Sequence, residues 1–556
     1  MKPITKAIST GFLCLFSAVL FSQQRQSLIF SSPFPEPITQ LVKFDTDFAS
    51  GSLQKVELLD AALIKTSARD SVWHLSYNLY SLPDPLNPVD TSLAPSARWF
   101  YFRMIGVKAK QLYLNFFLTD PVRPMYSFDG LHFERFAPHE CIVEPRRQGQ
   151  PGLRQVSVRF TRDTVFLAYF VPYTFDYLQQ RLSDWKSTGS VIALDTIGYS
   201  YRGLPMQLLT ITDPSVSDAY KKRVYIHGRT HTSETPSSWH LDGMIDAITA
   251  NTPEGVAYRR QMIFYILPFT NPDGVEEGLS RSAAHGVNLE ISYDRPDSLT
   301  VPEVRSIKKI LERLTADRPL DLILNMHSQV ESKATYWVHT AEATSMPYHR
   351  NQLLLANLTM FQNPWFGKND LSFSDGGARY VEGWIWDRFG EQTQAITFET
   401  PYTYYQLQPN GDWVTIENLR QMGGKLQQTV GEYFALSTPS RVVVLPQKPK
   451  NSKQWDFVMP EDEPFIGDGI YVAKQNNAKI TYLSPPLPAG HYQIYRWVPG
   501  KVAEVSPIGS NEWVYLEDFV QTKEGAYKRE VKAPIGTYAN ALLIIALPST
   551  EPSDDF

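Results

Sequence analysis

The chain has 556 residues, of which 43 % are hydrophobic and 20 % charged, an ordinary balance for folded protein and a length that predicts several domains. The formal net charge is −5, and no long basic run is present, so a nucleic-acid partner is not expected. Aromatic residues make up 13 %, including 29 Tyr and 30 Phe, which favours a large share of β-structure.

Residues 1–22 have the pattern of a secretory signal peptide. Lys2 and Lys6 precede an apolar stretch from Ile8 to Phe21, and polar residues follow it. The alternative interpretation is a buried N-terminal helix or strand. We expect a secreted or periplasmic protein without a membrane segment after signal removal, since no later stretch is apolar for long enough. Cys141 is then the remaining cysteine, which excludes an internal disulfide.

Three patterns follow one another along the rest of the chain. Residues 23–180 contain short alternating or aromatic segments broken by Pro, Gly and Asp, which predicts an antiparallel β-sandwich domain. Residues 190–437 alternate apolar strand-like runs with helical stripes, which predicts an α/β domain with a mostly parallel or mixed sheet. Residues 441–547 return to strand-like segments and predict a small β-domain. The predicted fold class is α/β, with β-domains on both sides.

Two of the helical stripes follow 3.6-residue spacing closely. The first begins after Pro302 and the second includes Trp413, and both are typical of helices that face a core. Their apolar positions are Val304, Ile307, Ile310, Leu311 and Leu314, and then Trp413, Ile416, Leu419, Met422, Leu426 and Val430.

Imidazole and carboxylate groups follow the predicted strands of the α/β domain. His231 and Glu234 lie in a turn between the apolar run that ends at Ile226 and a helix predicted to start at Thr235-Pro236, and His327 and Glu399 each follow a buried strand. Alone, each is equally typical of a hydrogen-bonded side chain at a strand end, and His-x-x-Glu is a weak motif. Because open α/β sheets bind ligands at the carboxyl edge of their strands, the agreement of all four groups predicts a functional site there.

These four residues are chemically sufficient for zinc-dependent hydrolysis. His231, Glu234 and His327 supply three ligands for one Zn²⁺ ion and leave an open position for water, as catalytic zinc requires. Zinc lowers the pKa of that water to about 7. Glu399 would then take a proton during attack and return it to the leaving amine.

The sequence resembles the zinc metallocarboxypeptidases, and it is most similar to the branch that contains the cytosolic carboxypeptidases, which trim polyglutamate tails. The matching segments are Arg229-Thr-His231-Thr-Ser-Glu234-Thr235, Asn271-Pro-Asp-Gly274, His327-Ser328 and Thr397-Phe-Glu-Thr-Pro401. The resemblance extends from about residue 44 to 435, so it includes the β-sandwich and leaves out the C-terminal β-domain. It implies a carboxypeptidase-like mixed-sheet catalytic domain with one zinc ion and a peptide substrate.

The resemblance also implies residues that bind the substrate, and here the chain departs from the family. Arg281 corresponds to the arginine that polarises the scissile carbonyl and stabilises the oxyanion. The family continues Asp/Asn-Leu-Asn-Arg, where the Asn-Arg pair holds the substrate's terminal carboxylate, but this chain has Asn288-Leu289-Glu290-Ile291. Glu290 would repel a carboxylate unless it were paired or protonated. Arg295 or Arg379 is the candidate for supplying the missing charge.

The family also places a tyrosine over the substrate. Tyr380 is the first candidate, and Tyr402, Tyr404 and Tyr405 remain alternatives. The predicted substrate-binding residues are therefore Asn288, Glu290, Arg295 and Tyr380.

Three functions follow from these observations. The first is a secreted zinc metallocarboxypeptidase that hydrolyses peptide amide bonds. The second is a zinc amidase, deacylase or endopeptidase that needs no free C-terminal carboxylate, which Glu290 favours. The third is a peptide- or glycan-binding protein on a retired enzyme scaffold, against which the complete set of ligands and base argues. Activity on amidated peptides separates the second from the first, and zinc binding without turnover identifies the third.

Overall fold

The computed structural model describes residues 27–118, 123–137, 139–143, 152–403, 405, 413–499 and 512–548. The predicted signal peptide lies outside these residues. None of the helices in the described ranges combines the length and the apolar character needed to cross a membrane.

The N-terminal region forms two β-sheets, and apolar side chains from both belong to one buried cluster. Their order is β1-β3-β4-β6-β10-β9 and β2-β5-β11-β7-β8. The strands are β1 (Ile29–Ser31), β2 (Lys43–Asp45), β3 (Lys55–Lys65), β4 (Ser71–Tyr80), β5 (Tyr101–Ile105), β6 (Gln111–Leu118), β7 (Met125–Ser127), β8 (Glu134–Arg135), β9 (Cys141–Val143), β10 (Gly152–Val158) and β11 (Thr164–Ala168).

The expectation of a wholly antiparallel sandwich is wrong at two places, because β1 pairs with β3 and β4 pairs with β6 in parallel. The strand between β4 and β6 lies in the other sheet, so the chain re-enters the first sheet in its original direction. Alternating apolar residues, which both pairings produce, do not distinguish them.

The α/β region is built on one eight-stranded mixed sheet, as predicted, in the order β12-β13-β15-β14-β16-β19-β17-β18. The strands are β12 (Val191–Tyr199), β13 (Pro205–Ile211), β14 (Lys222–Gly228), β15 (Met262–Leu267), β16 (Leu322–Gln329), β17 (Thr335–His339), β18 (Leu371–Ser374) and β19 (Gln394–Pro401). The helices are α1 (Phe175–Ser187), α2 (Thr235–Thr249), α3 (Pro253–Gln261), α4 (Pro272–Glu276), α5 (Pro302–Leu314), α6 (Met346–Met360), α7 (Val381–Phe389) and α8 (Ile416–Tyr433).

Local sequence explains where these helices begin. Helix α2 starts at Thr235 with Pro in its first turn, and the residue in the N-cap position is Glu234. Helix α5 buries all five residues of the predicted stripe. Helix α8 starts after Thr415, which forms a capping box with Asn418, so Trp413 of the predicted stripe precedes the helix.

The centre of the sheet contains a topological switch point between β14 and β16. Strand β15 pairs with one side of β14 and β16 with the other, and all three run parallel. Strand β19 is the next parallel neighbour of β16. Chain segments leave a switch point in opposite directions and open a crevice at the carboxyl edge.

The C-terminal region forms three small sheets, with the orders β20-β28-β24-β25, β21-β22-β27 and β23-β26. A buried cluster that includes Leu354 and Leu358 of α6 and Trp497, Trp513 and Leu543 joins it to the α/β region. The strands are β20 (Arg441–Val444), β21 (Trp455–Val458), β22 (Ile470–Ala473), β23 (Ala478–Leu487), β24 (Gly490–Val498), β25 (Glu512–Gln521), β26 (Gly525–Ala533), β27 (Tyr538–Ala539) and β28 (Leu542–Ala546).

Candidate active site

His231, Glu234 and His327 lie together at the switch point, and all three side chains are buried. Glu234 is central, because its Oε1 lies 2.8 Å from Nδ1 of His231 and its Oε2 lies 2.9 Å from Nδ1 of His327. One donor atom from each residue lies within 4.8 Å of the others. Two imidazoles and a carboxylate at this spacing suit a single Zn²⁺ ion.

The sequence predicts that His327 and Glu399 follow their strands, but the structure places both residues inside the strands. Strands β16 and β19 remain paired for three residues beyond the predicted strand end at Met326, and His327 is the register neighbour of Glu399. Thr335 of β17 pairs with Glu399 from the other side and prolongs the sheet. The two side chains therefore come from adjacent strands, about 5 Å apart along the hydrogen-bonding direction.

The turn that carries His231 and Glu234 is held by Arg229. Its backbone has φ of +57°, a conformation that non-glycine residues rarely adopt. The buried guanidinium compensates by donating hydrogen bonds to the carbonyl oxygens of Thr232 and Tyr173 and to Ser238 Oγ, at 2.8–3.0 Å. Arg229 fixes the turn in which the two ligand candidates lie.

A second loop joins this turn through the predicted Asn-Pro-Asp-Gly segment. Asn271 caps α4, since its Oδ1 accepts from the N–H of Gly274, and its Nδ2 donates to the carbonyls of Thr230 and Ser282. The segment thus ties the ligand-bearing turn to the loop that contains Arg281.

The electrostatics of the cluster favour a bound cation. Burial alone would lower the pKa of the His327 imidazole, but the carboxylate of Glu234 raises it to about 10. Burial would likewise raise the pKa of Glu234, but His231 and His327 hold it well below its ordinary value. The Ser328 N–H also donates to Glu234 Oε2 at 3.1 Å. The donor atoms therefore surround a position that attracts positive charge.

Asn288 and Glu290, two of the predicted substrate-binding residues, lie next to Nε2 of His231. Its Nε2 is 3.3 Å from Oδ1 of Asn288 and 3.2 Å from Oε2 of Glu290. When Nδ1 binds a metal, the ring proton is on Nε2, where the oxygens of Asn288 and Glu290 can accept it. Asn288 and Glu290 therefore orient His231.

Glu290 is also paired with Arg281. The Nη2 of Arg281 donates to Oε2 of Glu290 at 2.7 Å. Burial opposes ionisation of Glu290, but the charges of His231, His327 and Arg281 lower its pKa well below the ordinary range. The carboxylate that replaces the family's amide is thus ionised and balanced by Arg281.

The side chain of Glu399 is partly buried beside this cluster and lines the neighbouring cleft. Its Oε2 has no hydrogen-bond partner among the described residues. Burial raises the pKa of Glu399 to about 8, and the negative charge of Glu234 adds to the effect. A carboxyl with this pKa exchanges its proton near neutral pH.

A cleft of about 260 Å³ opens beside Glu399, and Arg281, Glu290 and Tyr380 are among its lining residues. Arg295 does not line this cleft; its backbone carbonyl accepts from Lys308. Arg379 is exposed, and its Nη2 donates to the hydroxyl of Tyr380 at 2.9 Å.

The alternative tyrosines differ from Tyr380 in their surroundings. Tyr402 and Tyr405 are fully buried, and the hydroxyl of Tyr402 donates to the carbonyl of Ser233. Tyr404 lies outside the described residues. Of the candidate tyrosines that the structure describes, Tyr380 therefore has the access to the cleft that a substrate contact needs.

Comparison with known proteins gives a family for this site. Residues 180–404 match the family model described as zinc carboxypeptidase. The chain contains a zinc carboxypeptidase domain. The fold agrees, because a metallo-carboxypeptidase from Burkholderia cenocepacia superposes with a TM-score of 0.57 and 18 % identity, covering 70 % of this chain and 98 % of that chain.

Two curated human relatives carry related names. Cytosolic carboxypeptidase 2 is 25 % identical over 55 % of this chain, which spans 36 % of that protein's length. Cytosolic carboxypeptidase 6 is 24 % identical over 74 % of this chain and 82 % of its own length. These names contradict the predicted secreted or periplasmic location, which we therefore withdraw.

The zinc carboxypeptidase domain uses one zinc ion, and the residues present fit it. The two imidazoles and one carboxylate are the donor types that catalytic zinc takes, and they converge at one buried position. This agrees with the predicted single Zn²⁺ cofactor.

Two residues at the site of the carboxypeptidase domain, Asp84 and Glu382, carried no signal in the sequence. Asp84, from the N-terminal region, accepts hydrogen bonds from the backbone N–H groups of Ser280, Arg281 and Ser282 at 2.7–2.9 Å. Ser328 contacts Glu234 through its backbone, and Glu382 lines the cleft. Ser328 belongs to the His327-Ser328 segment of the family resemblance, whereas no local pattern distinguishes Asp84 or Glu382 from other acidic residues.

Proposed function

We propose that this protein is a zinc metallocarboxypeptidase that hydrolyses amide bonds of peptides. The observation that carries the proposal is the buried group of His231, Glu234 and His327, with the unpartnered carboxyl oxygen of Glu399 on the adjacent strand. This arrangement provides a metal position and a proton acceptor on the same edge of the sheet.

In this proposal His231, Glu234 and His327 hold the metal. When bound, zinc supplies Lewis acidity, which lowers the pKa of water and polarises a carbonyl. Asn288 and Glu290 keep the proton of His231 on Nε2, so that Nδ1 is available as a ligand.

Glu399 acts as the general base and then as the general acid. Its Oε2 takes a proton from the attacking water and returns it to the nitrogen of the leaving amine. Because burial raises the pKa of this carboxyl to about 8, both transfers are close to balanced near neutral pH.

Arg281 stabilises the oxyanion that develops on the scissile carbonyl. Its guanidinium lines the cleft and keeps donors beyond the one that it directs to Glu290. The backbone of Arg281 is held by Asp84, so this cation has a defined position.

A second candidate function is cleavage that requires no free C-terminal carboxylate. The specific observation is the ion pair of Arg281 with Glu290 next to Ile291, where the family has an amide and an arginine. An anionic side chain in that place suits an amidase, deacylase or endopeptidase better than it suits recognition of a carboxylate.

The test is a mixed peptide library, half with free and half with amidated C-termini, incubated with the zinc-loaded protein and with Glu399→Gln. Products are read by mass spectrometry. Single-residue losses confined to free C-termini, and absent with Glu399→Gln, are the expected result. Cleavage of amidated or internal bonds would replace the carboxypeptidase with the second candidate. Zinc binding without turnover of any substrate would identify a binding protein on a retired scaffold.

A further inference from the structure

The cleft beside Glu399 contains an additional carboxylate. Glu382 lines it together with Trp337, His339 and Tyr380, and its side chain is 4 % exposed. Neither the metal position nor the proton transfers proposed above require this residue.

The carboxyl group of Glu382 is held in a defined position. It lies in the first turn of α7, where the helix dipole stabilises negative charge. Its Oε1 accepts hydrogen bonds from Asn325 Nδ2 at 2.9 Å and from Thr397 Oγ1 at 2.5 Å. Two donors on separate strands fix the position of the carboxylate.

The second oxygen of Glu382 has no such partner. Among the described residues, no hydrogen bond reaches Oε2, and no Lys or Arg nitrogen lies within 4.0 Å of either oxygen. A carboxylate oxygen that faces the cleft without a counter-charge is available to pair with a cation that enters the cleft.

No other group in the cleft neutralises Glu382. The charge of Arg281 is already paired with Glu290. Burial lowers the pKa of the His339 imidazole, which is therefore neutral at pH 7. Glu382 therefore has no paired counter-charge among the residues that line the cleft.

The distance from the reacting bond suits a long side chain. Thr397, which donates to Glu382, lies two residues before Glu399 on β19, and this interval is about 7 Å. Trp337 is the register neighbour of Thr397, and Trp337 and Tyr380 offer aromatic surface along the way. An aliphatic stem packs on such rings while its charged end reaches the carboxylate.

We propose that this cleft selects a substrate residue whose side chain ends in an ammonium or guanidinium group, and that Glu382 pairs with it. This inference rests on the proposed peptidase function and adds the substrate class. Glu382 is a specificity residue that touches the substrate away from the scissile bond.

The first experiment needs no variant. Matched peptides differ at one residue, with Lys, Arg, acetyl-lysine, norleucine or Glu, and are presented in each register next to the cleaved bond. We expect kcat/KM for Lys or Arg to exceed that for acetyl-lysine and norleucine by about 100-fold, because a buried charge pair is lost. Equal rates for Lys and norleucine, or a preference for Glu, would overturn the inference and leave the peptidase function intact. No turnover of any peptide, with zinc bound, would overturn both.

The second experiment tests Glu382 directly. Glu382→Gln keeps an oxygen for Asn325 and Thr397 but removes the charge, and Asp387→Asn removes an exposed charge on the same helix. We expect Glu382→Gln to lower the ratio of kcat/KM for the Lys peptide to kcat/KM for the norleucine peptide from about 100 to near one, whereas Asp387→Asn leaves this ratio unchanged. A retained preference in a folded variant contradicts the role of Glu382.

Binding gives a readout that does not depend on turnover. Calorimetric titration of zinc-loaded Glu399→Gln with the Lys and norleucine peptides measures the preference in the ground state. We expect the Lys peptide to bind at least tenfold tighter, and less so at high salt. Equal affinities would show that the cleft does not recognise the cation, whatever the stability of the Glu382 variant.

Discussion

The two β-regions that flank the carboxypeptidase domain relate to its active site in different ways. The N-terminal region reaches the site, because Asp84 binds three backbone N–H groups around Arg281 and the backbone of Arg98 and Trp99 donates to Ser280 Oγ. Ser50 extends this contact to the end of α4 through the carbonyls of Val275 and Glu276. The loop that carries Arg281 is therefore shaped by another part of the chain.

The C-terminal region contacts the helices on the outside of the sheet. Glu432 of α8 accepts hydrogen bonds from Arg441 at 2.7 Å and from Trp513 Nε1 at 3.0 Å. Phe361, which follows α6, packs against Trp513 and Tyr495. No described residue from 441 to 548 lines the cleft or hydrogen-bonds to a side chain of the site.

This difference teaches that a flanking domain affects chemistry only where it touches the loops at the carboxyl edge of the sheet. We expect changes in the N-terminal contact to alter the rate of hydrolysis, and changes in the C-terminal contact to alter stability alone. Four measurements test this expectation. Two of them are references, one for the size of an effect on rate and one for the size of an effect on stability.

The largest effect on the rate of hydrolysis is expected for a change in the active site itself, and it is the reference for the other rate effects. Glu399→Gln removes the proton acceptor and lowers kcat by about 10²–10⁴-fold. Zinc content, measured by atomic emission, stays at one ion per chain, because Glu399 is not one of the three ligands. A residual rate above one tenth of wild type would show that another group is the base.

The reference for effects on stability is Glu303, a buried residue of α5 that belongs to neither of the contacts with the flanking β-regions. Its Oε1 accepts from the N–H of Tyr201, and its Oε2 has no hydrogen-bond partner among the described residues, with His285 Nε2 3.9 Å away. Burial raises the pKa of Glu303 from 4.5 to about 7. The Glu303 carboxyl ionises at a lower pH in the unfolded chain than in the folded chain. The free energy of unfolding therefore falls by about 3 kcal/mol as the pH rises from 4.5 to 7, and this group causes no further loss above pH 7.

Urea unfolding of wild type and Glu303→Gln at pH 4.5, 6 and 8 checks this slope. We expect the free energy of unfolding of wild type to fall relative to that of Glu303→Gln as the pH rises. Parallel curves would contradict the assignment, since every other titrating group is common to both proteins.

Asp84→Asn tests the N-terminal contact. The amide keeps one acceptor oxygen where the carboxylate serves three N–H groups, so the Arg281 loop shifts and kcat/KM falls by about 10- to 100-fold. Asp60→Asn, at an exposed position of β3, is the matched control and leaves kcat/KM unchanged.

A double-mutant cycle with Arg281→Ala separates positioning from general damage. If Asp84 acts through Arg281, the Asp84→Asn change costs little further activity in the Arg281→Ala background. Additive losses would mean that Asp84 affects the site by another route and would weaken the comparison.

The smallest effect is expected at the C-terminal contact. Trp513→Phe removes the N–H donated to the buried Glu432 and lowers the free energy of unfolding by about 2 kcal/mol, while kcat/KM stays within about twofold. Tyr515→Phe, on the exposed side of the same strand, is the control. A tenfold fall in kcat/KM for Trp513→Phe at a temperature where it is folded would break the comparison.

Much of the site could be predicted from local sequence. The runs before His327 and Glu399 and the turn after β14 have the periodicity and helix-start residues of a strand–helix fold. Residue type then narrows the chemistry, since two imidazoles and a carboxylate at one sheet edge suit zinc. Glu290 and Ile291 depart from the family's motif, and this departure is visible in the sequence itself.

Other features depend on partners that are far away in the chain. Asp84 lies 196 residues before Ser280 and Glu382 lies 57 residues after Asn325, so no window of sequence contains either contact. The sequence predicts that Glu290 binds the substrate, whereas the structure pairs it with Arg281 and His231. Glu290 therefore supports the other residues of the site.

The sequence by itself determined the alternation of strands and helices in the α/β region, the identity of the ligand candidates and the sheet edge on which they were expected. These properties follow from periodicity and residue type, which act within a few residues of the chain. The tertiary structure alone decided which carboxylates are paired and which are not. Charge balance and pKa depend on atoms within a few ångströms, and in this protein those atoms come from β-regions, loops and helices that are distant in sequence.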